Sequence, residues 1–444
     1  MLNSINSNII PINQNYGFKA KKACSKEAVQ KENLTFEQTV PYVQNPIINT
    51  TLTPNDMAQY NYLLNFLKDC PISENSDGLS ANSQLETLLK NGKLLKTSHN
   101  DYSTTLSNLY EMATVERCDG LDAKRVICDT LDLLVNPRYV TQTFGDIPEN
   151  QKQAILSRQN PESDVAKDPS LMDVKASGTC AAASNEVNFA DKYPADFALW
   201  VSKLSSKDKE LILNTDLTAI SKNKLEAAEI LKFLSADNQQ FSFSKKKKIK
   251  ISLDDNAYTR AQIQNKYWDK GERNIADVLI QSAVMNLGSQ KTYDSLTDTR
   301  AATFNDNTQG LVEVENTFVE SLMKNKEITS LVYQQIDDNQ NLVGYTCSFE
   351  KMQKHITDTI DSGDDVIIGY VLTNESAGRT KAADFDPQKE GAPNMVINGH
   401  EITIVDYVKT PDGKINFICV DTDDDNSQFV SYSADWLLPK IHHA

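Results

Sequence analysis

The feature of this 444-residue sequence that most constrains its fold is a change in hydrophobic period along the chain. Over most of the chain between about residues 52 and 345, apolar residues recur at the spacing of one helical face. After that, β-branched and apolar runs dominate in "DVIIGYVLT", "VINGHEITIVDYV" and "KINFICVDTD", and a "TPDGK" turn separates the last two. Helices followed by an antiparallel sheet predict an α+β fold.

Several helical segments have clear limits. The run "LDAKRVICDTLDLLVNP" places Ile127, Leu131 and Leu134 at helical spacing and ends at Pro137. "PADFALWVSKL" begins with Pro194, a residue favoured at the first position of a helix. Further helices are predicted for "YNYLLNFLKDC", "SQLETLLKNGKLL", "LEAAEILKFL" and "NIADVLIQSAVMNL". "KIKISLD" alternates as a half-buried strand does.

Composition suggests how the chain divides. Residues 1–50 are rich in Asn, Gln, Ser and Lys without an apolar period, which predicts a disordered leader. We expect a helical N-terminal domain over 51–165 and a second domain, with the sheet, over 166–444. With 39% hydrophobic residues, the chain can bury a sizeable core.

Charge and hydropathy limit the partners. The net charge of −16 argues against binding to a phosphate backbone, and we read "KKKKIK" (245–250) as a solvated edge. No apolar run approaches the length of a membrane span. The first residues offer only Ile9-Ile10 before Pro11, so a secretory signal is not expected. We therefore expect no nucleic acid or membrane partner, and a protein that is cytoplasmic or exported without a classical signal. The sequence does not indicate an oligomeric state.

The seven cysteines do not form a disulfide or zinc pattern, because their number is odd and no CxxC pair occurs. The acidic run "DTDDDN" that begins at Asp421 lacks the Gly and Glu positions of a calcium loop. We expect reduced thiols, no metal and no cofactor.

One cysteine has an unusual setting. In "KASGTCAAASNEVNFA", Cys180 follows a turn-forming Ser-Gly-Thr and opens an alanine-rich run, which predicts a helix that begins at this residue. A helix N-terminus and a nearby imidazolium both favour a thiolate. The candidate imidazole is His400, which opens a strand directly after Gly399.

The acid that would orient His400 stays open at this point. A two-residue loop at Asp412-Gly413 would place His400 on the same strand face as Asp421, Asp423 and Asp425. Such a loop would bring Asp423 or Asp425 closest to His400, whereas a longer loop or a bulge favours Asp421.

This order of Cys at a helix start, His in a strand and an acid after the next strand resembles the papain-like cysteine peptidase superfamily, as a distant bacterial-type member. "NGHEITIVDY" is similar to the superfamily's strand around its catalytic His, with Asp406 where Gly is usual. The resemblance covers about 170–205 and 360–444. It implies a papain-like fold with an active-site helix, in which Cys180 is the nucleophile, His400 the general base and Asp421 the orienting acid.

The chain departs from papain at several positions. Papain has an aromatic residue after the nucleophile and an oxyanion-hole Gln six residues before it, whereas this chain has Ala181 and Val174. Papain-type chains separate Cys from His by roughly 130–150 residues, and here the separation is 220. We expect the extra residues in a helical insertion at about 205–345, whose polar stretch 286–312 would be a surface loop close to the cleft.

The resemblance implies a thiol hydrolase, a cysteine peptidase that cleaves peptide or isopeptide bonds of a protein or peptide substrate through an acyl-enzyme on Cys180. A deamidase or acyltransferase would use the same Cys-His pair. The alternative is a catalytically inactive papain-like binding scaffold, in which Val174 and Asp406 mark lost catalysis. The segment 51–165 has the placement of an inhibitory pro-region, or it is a permanent helical domain.

Overall fold

The computed structural model describes residues 50–173, 178–221, 246–289, 292–300, 310–337, 341–373, 396–423 and 429–444. Residues 1–49 of the predicted leader, the predicted helix "LEAAEILKFL" and Val174 lie outside these ranges. The described chain mixes helix and sheet, with most helices before the main sheet, as the predicted α+β class requires. Within these ranges, no helix is long and apolar enough to cross a membrane.

Helices dominate the chain before residue 330. In its first half they are α1 (Pro54–Leu67), α2 (Ala81–Lys90), α3 (Thr105–Thr114), α4 (Ala123–Val135), α5 (Glu149–Leu156), α6 (Asp164–Lys167), α7 (Cys180–Lys192) and α8 (Pro194–Leu204). Later helices are α9 (Leu217–Ile220), α10 (Asp255–Tyr267), α11 (Ile275–Gly288), α12 (Glu313–Lys324), α13 (Phe349–Asp361) and α14 (Ala434–Leu437). The predicted helix that ends before Pro137 and the one that begins at Pro194 are confirmed.

The described strands form one main sheet and two smaller sheets of two strands each. The smaller sheets pair β1 (Leu211–Asp216) with β2 (Lys246–Ile251) and β3 (Gln334–Ile336) with β4 (Leu342–Tyr345). The main sheet is antiparallel, in the order β8-β7-β6-β5-β9. Its strands are β5 (Val366–Thr373), β6 (Val396–Lys409), β7 (Ile415–Val420), β8 (Phe429–Ser433) and β9 (Ile441–His443). The C-terminal histidines, which no sequence pattern assigned, thus belong to an edge strand of this sheet.

The apolar core crosses the predicted boundary between 51–165 and 166–444. One cluster of buried side chains joins α1–α4 to α7, α8 and α11. Every residue of α11 is buried, so this part of the predicted insertion at 205–345 lies inside the common core. A second cluster packs α13 and α14 against the main sheet.

The polar stretch 286–312 is not the surface loop that its composition predicts, as far as the structure describes it. Ser295, Leu296 and Asp298 have no solvent exposure. The Ser295 hydroxyl lies 2.9 Å from the hydroxyl of Ser282 and 2.9 Å from a carboxylate oxygen of Asp254. The stretch can therefore be both polar and buried, because its side chains have hydrogen-bond partners inside the protein.

Candidate active site

Cys180 is the first residue of α7, as the sequence predicts. Three alanines follow it, and alanine is both the best helix former and small enough for close packing in the core. Thr179, at the N-cap, does not cap the helix with its side chain. As the first residue, Cys180 lies at the positive end of the α7 dipole.

The turn before Cys180 is held by the chain around residue 298. The amide of Gly178 donates a hydrogen bond to Asp298 Oδ2 at 2.6 Å. A Cβ atom at position 310 would lie 2.7 Å from Gly178 O, so Gly310 allows a close backbone approach there. This part of the polar stretch 286–312 thus lies next to the cysteine turn.

His400 lies in β6, where it pairs with Tyr370 of β5. The rings of these two residues meet edge to face, with centroids 5.7 Å apart. The loop between β6 and β7 spans five residues, 410–414, and a bulge at Val405 shifts the pairing further along the ladder. Both features that favour Asp421 in the sequence analysis are present.

Asp421 follows β7 and is the acid that contacts His400. The distance from His400 Nε2 to Asp421 Oδ1 is 2.8 Å, and the two side chains are only 15% and 12% exposed. Asp421 also accepts hydrogen bonds from the Tyr432 hydroxyl at 3.1 Å and from the Asp423 amide at 3.2 Å. Three donors therefore fix the carboxylate of Asp421, and one of them is the backbone amide of Asp423.

Cys180 also lies close enough to His400 to raise the pKa of the imidazole. Because Asp421 engages Nε2, the ring nitrogen left for the thiol is Nδ1. The structure thus brings together the three residues that the sequence analysis singled out, in the order cysteine, imidazole, carboxylate.

The charges of the pair stabilise each other. Burial disfavours the charged form of His400, but the charge of Asp421 and the hydrogen bonds to Asp421 and Cys180 outweigh it and hold the His400 pKa well above its usual value. Burial likewise disfavours ionised Asp421, yet the charge and hydrogen bond of His400 hold the Asp421 pKa below its usual value. The raised pKa favours the protonated form of His400, which can donate a proton.

Other thiols near the sheet and in the helical core have a different environment. Burial raises the pKa of the Cys419 thiol well above its usual value, and the charge of Asp421 adds to this shift. Burial also raises the pKa of Cys128. Both side chains therefore favour the neutral thiol, which is a poor nucleophile.

Three hydrogen bonds connect α7 to β6, one of them direct and two through Asn316. The Thr403 hydroxyl donates to Ser184 O at 3.1 Å. Asn185 of α7 donates to Asn316 at 2.5 Å, and Asn316 donates to Glu401 at 2.8 Å. Because Glu401 neighbours His400, these bonds set the distance between the cysteine helix and the histidine strand.

The sequence analysis missed Gln142 and Arg273, which connect the cysteine turn to the acid. Arg273 donates to Thr179 Oγ1 and to Gln142 O, the latter at 2.9 Å. The backbone amide of Gln142 donates to Thr422 O at 3.0 Å, and the Thr422 hydroxyl donates to the side-chain oxygen Oε1 of Gln142 at 3.2 Å. No local pattern marks these residues, since their partners are distant in sequence.

Among the described residues, no group of three or more His, Cys, Asp or Glu side chains is placed to hold a metal ion. Comparison with known proteins adds no further assignment: no protein-family model, no curated protein and no solved structure matches this chain.

Proposed function

We propose that this protein is a papain-like thiol hydrolase that acts on peptide or isopeptide bonds through an acyl-enzyme on Cys180. The observation that carries the proposal is the position of His400, between Asp421 Oδ1 at 2.8 Å and the thiol of Cys180 at the start of α7. A cysteine, an imidazole in contact with it and a third group that orients the imidazole form the arrangement of nucleophilic catalysis.

The proposed reaction has two steps. The Cys180 thiolate attacks the carbonyl carbon, and the π electrons of the C=O bond move to oxygen. As the tetrahedral intermediate collapses, the carbon–nitrogen bond breaks, and the His400 imidazolium gives its proton to the leaving amine. Water then attacks the thioester with His400 as general base, the carbon–sulfur bond breaks, and the acid is released.

The oxyanion would form next to the first turn of α7. The backbone N–H groups of this turn have no partner within the helix, and Thr179 does not cap them with its side chain. The N–H of Cys180 itself is suited to donate to the oxyanion. Asp421 keeps the imidazole oriented throughout and stabilises its positive charge.

The departure at Asp406 does not argue for an inactive scaffold. Asp406 lies six residues along β6 from His400, about 20 Å at the rise of a strand. It follows the bulge in this strand, and its carboxylate accepts a hydrogen bond from the Tyr407 amide at 2.7 Å. This residue therefore shapes the strand at a distance from the reacting groups.

A covalent probe tests the proposal. Full-length protein is incubated with peptides that carry a vinyl sulfone or an aldehyde, and the modified residue is identified by mass spectrometry. We expect an adduct on Cys180 that is lost in Cys180→Ala and His400→Ala and retained in Cys347→Ala, the control at another free thiol.

A second assay separates the possible reactions. Incubation with a peptide library gives new N-termini if the protein is a peptidase, ammonia if it deamidates, and a peptide adduct on an added amine if it transfers acyl groups. Absence of both a Cys180 adduct and any product above the Cys180→Ala background would contradict the proposal.

A further inference from the structure

We propose that Arg273, Tyr293 and Asp298 form a positioning clamp that holds the turn before Cys180 in the geometry its reaction requires. The clamp, as we define it, consists of these three side chains. The inference rests on the proposed function, because it assigns these residues a role toward Cys180. It also gives a function to residues from the region 205–345, which the resemblance alone treats as an insertion.

Asp298 is the member of the clamp that contacts the backbone of the turn. It is fully buried, and its backbone has a φ of 52°, in the left-handed region that side chains other than glycine rarely adopt. Its Oδ2 accepts from the Gly178 amide at 2.6 Å, and its Oδ1 accepts from the Tyr293 hydroxyl at 2.8 Å. A residue in this conformation persists when its surroundings hold it, and such residues concentrate at functional sites.

Arg273 contacts the next residue of the turn. Its guanidinium is fully buried, donates to Thr179 Oγ1, and lies over the Phe144 ring with 3.7 Å from Cζ to the ring centroid. Its positive charge also acts on the neighbouring side chain of Tyr293. The two residues that precede Cys180 are therefore held by Asp298 and Arg273, and Tyr293 neighbours both of these side chains.

The clamp is also linked to the acid of the site. Arg273 donates through Nε and Nη2 to Gln142 O, at 3.1 and 2.9 Å. Gln142 in turn forms two hydrogen bonds with Thr422, the residue after Asp421. A path of hydrogen bonds therefore leads from the turn before Cys180 through Arg273 and Gln142 to the residue after Asp421. Asp421 in turn contacts His400. Displacement by about 1 Å at such a site can cost about a hundredfold in rate.

Arg260 offers a matched control. It is as buried as Arg273 and stacks over the same Phe144 ring, at 4.6 Å. Its guanidinium donates to backbone carbonyls of Gly145, Met172, Ser295 and Leu296, none of which belongs to the turn before Cys180. Replacing either arginine by methionine removes a buried charge, but only Arg273→Met removes a bond to the cysteine turn.

The experiment compares Arg273→Met, Asp298→Asn and Tyr293→Phe with Arg260→Met in the full chain. Asparagine tolerates the left-handed conformation, and phenylalanine keeps the ring, so these two variants test the clamp even if Arg273→Met does not fold. We measure urea unfolding, the pH dependence of Cys180 alkylation by iodoacetamide, and amide hydrogen exchange at Gly178 and Thr179. A general loss of stability would change the urea unfolding of all variants.

In the clamp variants we expect iodoacetamide to alkylate Cys180 at least tenfold more slowly at pH 6, with a pH profile of alkylation shifted to higher pH. We also expect the amides of Gly178 and Thr179 to exchange faster. Arg260→Met should keep the parent profile and exchange. Clamp variants that match Arg260→Met in profile and exchange would overturn the inference. Slow, unselective alkylation of Cys180 in the parent would instead overturn the proposed function, while the exchange rates would still decide whether the clamp holds the turn.

Discussion

Replacing Asp421 by asparagine tests whether the charge of this residue activates the Cys180–His400 pair. The substitution keeps the shape of the side chain. With the asparagine oxygen in the place of Oδ1, it still accepts from His400 Nε2 and the Asp423 amide. The new NH2 group then faces the Tyr432 hydroxyl, which can accept a hydrogen bond as well as donate one. The main loss is the negative charge.

The structure gives the size of the effect. His400 and Asp421 are 15% and 12% exposed, so water screens their interaction only partly. A hydrogen bond to a charged group contributes about 1.5–3 kcal/mol and a neutral one about 0.5–1.5 kcal/mol, which leaves a loss of about 1–2 kcal/mol. At 1.36 kcal/mol for each factor of ten, iodoacetamide should alkylate Cys180 about 5- to 30-fold more slowly in Asp421→Asn than in the parent at pH 6.

The assay is competitive labelling with iodoacetamide, followed by mass spectrometry of every cysteine peptide. Cys347 serves as the internal reference, since it is free and half-buried. Asp423→Asn is the matched control, because Asp423 meets Asp421 through its backbone amide, which the substitution retains. We expect that control to stay within about twofold of the parent. If Asp423→Asn slowed the reaction and Asp421→Asn did not, the assignment of the orienting acid would be wrong.

Three further predictions follow from burial and charge. The stability that Asp421 contributes is fully present above its unfolded pKa of about 3.9 and is lost as pH falls through its lowered folded pKa. The stability that His400 contributes is fully present below its unfolded pKa of about 6.5 and is lost as pH rises through its raised folded pKa. The difference in free energy of unfolding between the parent and Asp421→Asn, from urea titrations, should therefore be largest between about pH 4 and 6.5, and a difference that grew toward pH 9 would contradict this. Burial raises the pKa of Glu186 to about 8, so this group should cost the parent stability as pH rises from about 4.3 to 8, by up to about 1.4 kcal/mol per pH unit. Glu186→Gln should reduce this slope and keep the bond from Gln281, and equal slopes in the parent and the variant would refute the prediction. Deleting residues 1–165 should give insoluble protein, because α1–α4 share the core with α7, α8 and α11 and Asn108 donates to Ala195 O. A soluble product in which Cys180 reacts faster than in the full chain would instead favour the pro-region hypothesis, and a soluble product with unchanged Cys180 reactivity would contradict that hypothesis.

The sequence determined the local elements of the site. The helix that begins at Cys180 follows from a Ser-Gly-Thr turn and an alanine run, and the strand that carries His400 follows from alternating β-branched residues. Both are short-range effects: propensity and side-chain alternation act within a few residues, so they can be read from the chain alone. The order of helices and strands, and hence the α+β class, was predictable for the same reason.

Burial, in contrast, could not be predicted from composition. The stretch around Asp298 has the polar residues of a loop, yet it lies inside the protein beside the turn of Cys180. Arg273 and Gln142 have no local signal either, since Arg273 bonds to residues 94 and 131 positions away. A buried polar side chain is stable only with partners, and distant parts of the chain supply those partners only in the folded state.

The tertiary structure decided which acid contacts His400, through two shifts of one residue each in the pairing of β6 with β7. The five-residue loop places Lys409 opposite Ile415, one position from the pairing of a two-residue loop, and the bulge at Val405 adds a second shift. Either shift alone would turn Asp421 to the face opposite His400, because side chains alternate along a strand. Together they return Asp421 to the face of His400 and bring it two positions nearer, where Oδ1 lies 2.8 Å from Nε2. Loop length and a bulge are set by packing against the rest of the molecule, so the residues of the hairpin alone left this choice open.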